Sequence, residues 1–268
     1  MAGMTPLAYA LAAVALAAVA PAAADDYASD WARTSKAEAR LIAGAAGQAA
    51  VEVRLAPGAI TYWRNPGDSG APPSFDFAGS RNLARADVSF PAPRRIAEPD
   101  GSDAFGYDDA VVFPIAVAAL DASRPVELRL KFDYAVCEKL CLPAKAELTL
   151  TLPQGGASPY AAAIAAAAAA VPRMSDLDAL GGALEASGAD AWRLCAKAEP
   201  GPPRDLFIEA PEGWWFATKP AAGADGRACF ALELQQKPDG AALPVDVRAT
   251  LTGGLGAREL PLALAAQP

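Results

Sequence analysis

Two cysteines four positions apart, Cys137 and Cys141, are the residues whose type and spacing point to chemistry. Neighbouring thiols that close into a disulfide and open again carry thiol–disulfide exchange. One thiolate attacks a disulfide, a mixed disulfide forms, and a second thiol close by resolves it. On an extended strand, residues i and i+4 stand ~13 Å apart, whereas a disulfide brings its Cα atoms to ~4.4–6.8 Å. If Cys137 and Cys141 pair, Glu138, Lys139 and Leu140 must fold into a turn, which Pro143 helps to end. Closing so short a loop stabilises by only ~2 kcal/mol in the chain-entropy account, against ~4 kcal/mol for a loop of ~35 residues. That comparison favours a pair kept for exchange. A disulfide stapling a hairpin fits the same spacing, so on spacing alone both readings stand. Lys139 favours a thiolate and Glu138 opposes it.

The other two cysteines, Cys195 and Cys229, fall on two expected strands, where a structural disulfide is the natural expectation. Alternation puts Cys195 with Arg193 and Lys197, and Cys229 opposite Phe230 and Leu232, so both sulfurs would lie on polar faces. The chain has no histidine, which removes Ser-His-Asp and Cys-His nucleophile systems and the common histidine zinc sites. No metal site and no cofactor is expected. With 31 acidic against 23 basic residues and a net charge of -8, nucleic acid is not an expected partner.

An apolar run over residues 7–20 leads into Pro21-Ala22-Ala23-Ala24 and then Asp25-Asp26. This reads as a signal peptide, residues 1–24, cleaved after Ala24, although its first six residues carry no Lys or Arg. The run is shorter than the ~20 residues a membrane span needs, and the alanine-dominated run at residues 161–171 is shorter still. The expected mature protein is exported, soluble, without stable membrane insertion, in a compartment where disulfides persist.

The cysteine pair needs a scaffold, and the alternation around it supplies one. Val126, Leu128, Leu130, Phe132 and Tyr134 alternate with charged residues, and Ala146, Leu148, Leu150 and Leu152 alternate with Glu147, Thr149 and Thr151. Further strands are expected at residues 50–55, 60–63 and 87–90, with loops at 64–73 and 91–103. Residues 111–117 are apolar but hold Pro114, which places them at an edge or a bulge. Short strands, many turns and no βα alternation predict an all-β chain with a β-sandwich at residues 25–155. Ser158-Pro159 would cap a helix that ends before Pro172, or a low-complexity linker, at residues 156–174. Beyond it, strands at residues 192–197, 206–209, 227–234, 245–251 and 258–264 predict a second, smaller β-sandwich-like domain at residues 175–268, with a hairpin connection at 252–256.

The run 128–150, with Asp133-Tyr134-x-x-Cys137 ahead of Cys141-x-Pro143, resembles the N-terminal periplasmic domain of the thiol–disulfide reductase DsbD, and more closely its ScsB-type relatives. Three other blocks match: Pro57-Gly58-x-x-Thr61-Tyr62-Trp63-Arg64-x-Pro66-Gly67-Asp68-Ser69-Gly70; Phe75-Asp76; and Phe105-Gly106-Tyr107 leading into residues 111–114. The resemblance covers residues 45–152 and implies an immunoglobulin-like fold. It also implies a cysteine pair that accepts electrons from a membrane thiol reductase and passes them to thioredoxin-fold periplasmic proteins. It further implies a shielding cap with an Asp-x-Phe core, matched by Asp103-Ala104-Phe105 with Tyr107 close by, and an aromatic near the active site, matched by Tyr62. For Phe105 and Tyr62, ordinary core packing is the alternative. DsbD spaces its cysteines more widely, whereas the ScsB-type pattern fits. No transmembrane or thioredoxin-like segment is read here, so the reading expects a separate electron source.

The leading expectation is a protein-disulfide reductase using Cys137 and Cys141. One alternative is a non-catalytic Cu(I) handler, since two thiolates are soft ligands; of three methionines, however, Met1 and Met4 lie in the leader. The other is a structural envelope interaction protein whose disulfides only stabilise.

Overall fold

In a computed structural model, the chain is described over residues 26–68, 70–98, 101–202, 204–223 and 226–266. The expected signal peptide lies outside the described residues. The first half contributes eleven strands: β1 (Ala32–Arg33), β2 (Ala37–Ala43), β3 (Gln48–Leu55), β4 (Ile60–Gly67), β5 (Ser74–Asp76), β6 (Leu83–Val88), β7 (Arg94–Ala97), β8 (Asp103–Asp108), β9 (Ala110–Ala119), β10 (Glu127–Cys137) and β11 (Cys141–Thr151). They form two sheets, ordered β1-β2-β3-β9-β6 and β11-β10-β4-β8-β7, with β5 added to the free side of β10. The core between the sheets takes Leu41, Val51, Val53, Phe113 and Ile115 from one and Leu128, Leu130, Phe132, Leu148 and Leu150 from the other. Phe75 wedges among Phe90, Phe113 and Phe132, with ring centroids 6.0, 5.6 and 4.9 Å away.

The β10–β11 hairpin follows the expected alternation, and its register runs from Glu127↔Thr151 to Cys137↔Cys141. Pro114 is the instructive departure. It sits inside β9, which is a central strand between β3 and β6 rather than an edge. In an antiparallel strand the N and O of one residue point to the same side. The Pro114 carbonyl accepts from Ser89 N, just past the last β6 pair at Val88↔Ile115, so the missing N–H faces the point where β6 leaves. Two further departures fall in expected loops: β7 lies inside residues 91–103, and β4 continues to Gly67.

A helix, α1 (Ala161–Ala169), buries Ile164 against Ile42 and Ala50 on the outer face of the first sheet. Ser158 does not cap it from the N-cap position, which is Tyr160. The Ser158 hydroxyl instead donates to the Ala43 carbonyl and accepts from Tyr160 N, tying the connection to the first sandwich.

The second half forms β12 (Arg173–Met174), β13 (Ala183–Gly188), β14 (Ala191–Lys197), β15 (Leu206–Glu209), β16 (Trp215–Ala221), β17 (Arg227–Gln236), β18 (Val245–Leu251) and β19 (Arg258–Leu264). Their two sheets, β12-β19-β18-β15 and β13-β14-β17-β16, enclose Trp192, Leu194, Phe230, Leu232, Val247 and Leu260. The chain is thus all-β, with an immunoglobulin-like sandwich architecture.

Candidate redox site

Sheet parity decides where the sulfurs go. Along β10, Leu128 through Val136 take the even positions and face the inter-sheet core, so Ala135 and Cys137 face outward. Cys141 is opposite Cys137 in the hairpin register, and Glu138, Lys139 and Leu140 form the turn between them. The two are joined in a disulfide with Cα atoms 4.0 Å apart. Outward-facing Ile60, Tyr62 and Ala104 close around Cys137, which is only 3% exposed. Cys141, by contrast, is exposed at the start of β11. Leu140 and Leu142 beside it are 71% and 40% exposed, leaving apolar surface around the accessible sulfur.

Tyr62 is the polar partner of the pair. Its ring is fully buried, its hydroxyl donates to Cys137 Sγ at 2.8 Å, and Cys141 Sγ lies 3.5 Å from the same oxygen. Thr61 next to it donates its hydroxyl to the Ala135 carbonyl at 2.9 Å, stitching β4 to β10 beyond their single backbone pair, Cys137↔Ile60. The roof over Tyr62 is built by residues 67, 68 and 70–73. Gly70 adopts φ +95°, and a Cβ built there would fall 2.2 Å from the tyrosine ring, so only glycine lets the backbone come this close.

Beside Cys141 a groove of ≈ 410 Å³ runs between this segment and the hairpin. Ala71 and Pro72 wall it, Ala135 and Pro143 line it, and Asp133 and Lys145 lie at the end away from Cys141, 3.6 Å apart. At the turn, Lys36 Nζ sits 2.6 Å from the Glu138 carboxylate. That hydrogen bond, with the charge of Lys36, holds Glu138 below the usual carboxylate range. Among the described residues no group of three or more His, Cys, Asp or Glu side chains converges on a possible metal position.

The structure brings Tyr62 to the sulfurs but puts Asp103, Phe105 and Tyr107 elsewhere. On β8 it is Ala104 that faces Cys137, so Phe105 and Tyr107 point to the other side of the sheet. Tyr107 donates to the Pro91 carbonyl at 2.8 Å, and burial pushes its phenol well above the ordinary value. Phe105 packs edge-on to Phe207 at 4.8 Å and stacks near Trp215 at 6.4 Å, both from the second sandwich. Asp103 pairs with Arg95 at 2.8 Å. The Asp-x-Phe segment therefore lies in the seam between the sandwiches rather than over the disulfide.

Cys195 and Cys229 are joined in a second disulfide, again a cross-strand pair, on β14 and β17 with Cα atoms 4.1 Å apart. They face away from the core formed by Trp192 and Leu194, as alternation implies, with Cys195 half-buried and Cys229 buried. Sequence reasoning missed the roof contact at Gly70, the Thr61 stitch and the seam residues Arg64, Asn65 and Arg95. Residues 61, 64 and 70 stand inside the block Thr61–Gly70 quoted above, which was the available signal.

Residues 30–153 match a family model described as thiol:disulfide interchange protein DsbD, N-terminal. A comparison with curated protein sequences finds no match. Among solved structures, the chain is similar to the N-terminal periplasmic domain of ScsB from Proteus mirabilis. The TM-score is 0.71 at 20% sequence identity, over 90% of this chain and 99% of that one. At that identity the likeness speaks for the fold alone. Among the described residues no helix is long and apolar enough to cross a membrane.

Proposed function

We propose, from the premise that residues 30–153 belong to the family of the DsbD N-terminal domain, that Cys137 and Cys141 exchange disulfides with protein thiols of the bacterial periplasm. The observation that carries the proposal is the asymmetry of the pair. One sulfur is exposed among apolar side chains, and the other is buried on a phenol O–H. An incoming thiolate attacks Cys141 Sγ, the disulfide breaks, and Cys137 leaves as a thiolate. The Tyr62 hydroxyl already points at that sulfur, and hydrogen bonds to charged groups are worth ~1.5–3 kcal/mol. A second thiol of the partner then attacks its own mixed-disulfide sulfur and releases Cys141. Two electrons have moved, and the partner ends as a disulfide. In the opposite direction Cys141 attacks a substrate disulfide and Cys137 resolves it. In the periplasm, reducing equivalents arrive from a membrane thiol reductase and leave to thioredoxin-fold proteins. Removal of residues 1–24 as a signal peptide fits that location.

The test is a trapping experiment. Cys137→Ser removes the resolving sulfur, so the chain should accumulate mixed disulfides through Cys141 with thioredoxin-fold partners, whereas Cys141→Ser should trap little. Equal trapping by both variants, or by neither, would overturn the assignment of Cys141 as the partner-facing sulfur.

A further inference from the structure

Between Tyr62 and Gly67, β4 leaves its ladder. Tyr62 pairs with Gly106 and Gly67 with Ala104, so five steps on β4 (62 to 67) match two on β8 (106 to 104). The extra residues form a bulge, and bulges re-aim side chains. Here they meet the second sandwich. Arg64 forms a two-pronged contact with Glu209 at 2.8 and 2.7 Å and also reaches Glu259. Asn65 Nδ2 donates to the Ile208 carbonyl at 2.8 Å, while its Oδ1 accepts from Gly67 N at 3.3 Å. A second tie runs through Arg95, which donates to both Asp205 oxygens at 3.0 and 3.1 Å, to Thr218 at 2.8 Å and to Asp103 at 2.8 Å. The Asp103 backbone holds Asp68 by two bonds of 2.9 Å, Asp68 N to Asp103 O and Asp103 N to the Asp68 carboxylate.

Gly67 and Asp68 form the near foot of the roof whose Gly70 rests on Tyr62. The far foot is fixed inside the first sandwich by the Ser74↔Asp133 pair and by Phe75. Among the described residues, only the near foot is fastened to atoms that themselves bond the second sandwich. We infer that the second sandwich is a clamp: through Asn65 and the Asp205–Arg95–Asp103 chain it holds Gly67, Asp68 and Gly70 against Tyr62, and so keeps the Tyr62 hydroxyl on Cys137. Asn65 and Arg95 are positioning residues. The inference deepens the proposed exchange reaction and rests on Cys137 being the sulfur that Tyr62 serves.

The test uses the full mature chain carrying Cys141→Ala, which leaves Cys137 as the one free thiol and needs no redox partner. The thiolate ultraviolet absorbance is titrated with pH, and amide hydrogen exchange is followed at Gly67, Asp68 and Gly70. Tyr62→Phe should lower the Cys137 thiolate fraction near neutral pH by roughly ten-fold or more, the equivalent of one hydrogen bond to a charged sulfur. Asn65→Ala, and separately Asp205→Asn with Glu209→Gln, lie away from the sulfurs. Each should speed exchange of the roof amides and shift the thiolate fraction the same way, by at least three-fold. Faster exchange with an unmoved thiolate fraction overturns the clamp, and so does unchanged exchange. A Tyr62→Phe variant without effect overturns it as well. Failure of the proposed function would read differently: Cys137→Ser would trap no partner while these shifts persisted.

Discussion

Gly70→Ala tests the roof with a single methyl group. At φ +95° an L-residue is strained, and left-handed backbone costs roughly 1–2 kcal/mol for a residue with a Cβ. The new Cβ would also stand 2.2, 2.2 and 2.6 Å from three atoms of the Tyr62 ring. Carbon atoms sit comfortably at ~3.5–4.0 Å, so ring and backbone must part by roughly 1.5 Å. Overpacking of that kind costs ~1–3 kcal/mol more. The ring cannot yield cheaply. It is fully buried, and its hydroxyl is engaged with Cys137 at 2.8 Å. The roof has its far foot in the Phe75 cluster. Whichever moves, the total loss should be ~2–5 kcal/mol by denaturant titration, and the Tyr62–Cys137 contact is either broken or uncovered. The second reading is the rate at which a small uncharged thiol reduces the pair: Cys141 is already exposed, so pushing Tyr62 off the leaving sulfur Cys137 should lower that rate several-fold. Unchanged stability together with an unchanged rate would refute the idea that the Gly70 backbone bears on Tyr62.

Two further predictions concern stability. Burial pushes the Tyr134 phenol up to about 12 and the Tyr107 phenol well above its ordinary value. In the unfolded chain both ionise near pH ~10, so the stability from keeping them neutral is whole below that pH and drains as pH rises through the folded value. Alkaline unfolding should begin above pH ~10 with tyrosinate absorbance appearing at the same midpoint as loss of β structure, and Tyr134→Phe should weaken that dependence. The two disulfides should also differ. Replacing Cys195 and Cys229 by serine opens the longer loop and should cost ~4 kcal/mol, while opening the Cys137–Cys141 loop should cost nearer ~2 kcal/mol. Equal costs in denaturant titrations would count against the division into one structural and one exchanging pair.

Local pattern made the hairpin legible, and distance hid the seam. The alternation from Val126 to Leu152 marks both strands, and extending it to Cys137 and Cys141 puts the sulfurs on the outer face. Strand β2, Ala-Glu-Ala-Arg-Leu-Ile-Ala, carries no such mark, because small and charged residues at these spacings suit a helix as well; its pairing with β3 decides. β7 hides between prolines and a turn-rich stretch and exists through its ladder with β8. Arg64, Asn65 and Arg95 read as loop polars, since their partners Ile208, Asp205, Glu209 and Glu259 stand more than a hundred residues away. The place of Phe105 away from the sulfurs is a matter of parity: a motif names residue types, and the ladder with β4 and β7 says that Ala104, not Phe105, shares the face of Cys137.

That parity also explains why the site needs so much apparatus. A disulfide at the mouth of a hairpin, directed away from the inter-sheet core, would ordinarily stand open to solvent on both sulfurs. Such a pair would react with any thiol, because exposure governs attack. Covering one sulfur requires material from outside the hairpin. β4 supplies the Tyr62 ring, Gly106 lets the β4 backbone approach, and Gly70 closes over the ring. A Cβ at Gly106 would lie 2.0 Å from the Thr61 carbonyl, so that approach depends on glycine. The same bulge that frees β4 to turn into the roof exposes Arg64 and Asn65, and their charge and amide find partners on the second sandwich. Burial alone would lower the Arg64 and Arg95 pKa values, yet hydrogen bonds and charge from Glu209, Glu259, Asp205 and Asp103 outweigh it and hold both guanidinium groups above their ordinary value. Both guanidinium groups therefore keep their charge. A cover fastened by ion pairs holds the Tyr62 ring over Cys137 and leaves Cys141, with Leu140 and Leu142 beside it, as the accessible side of the pair.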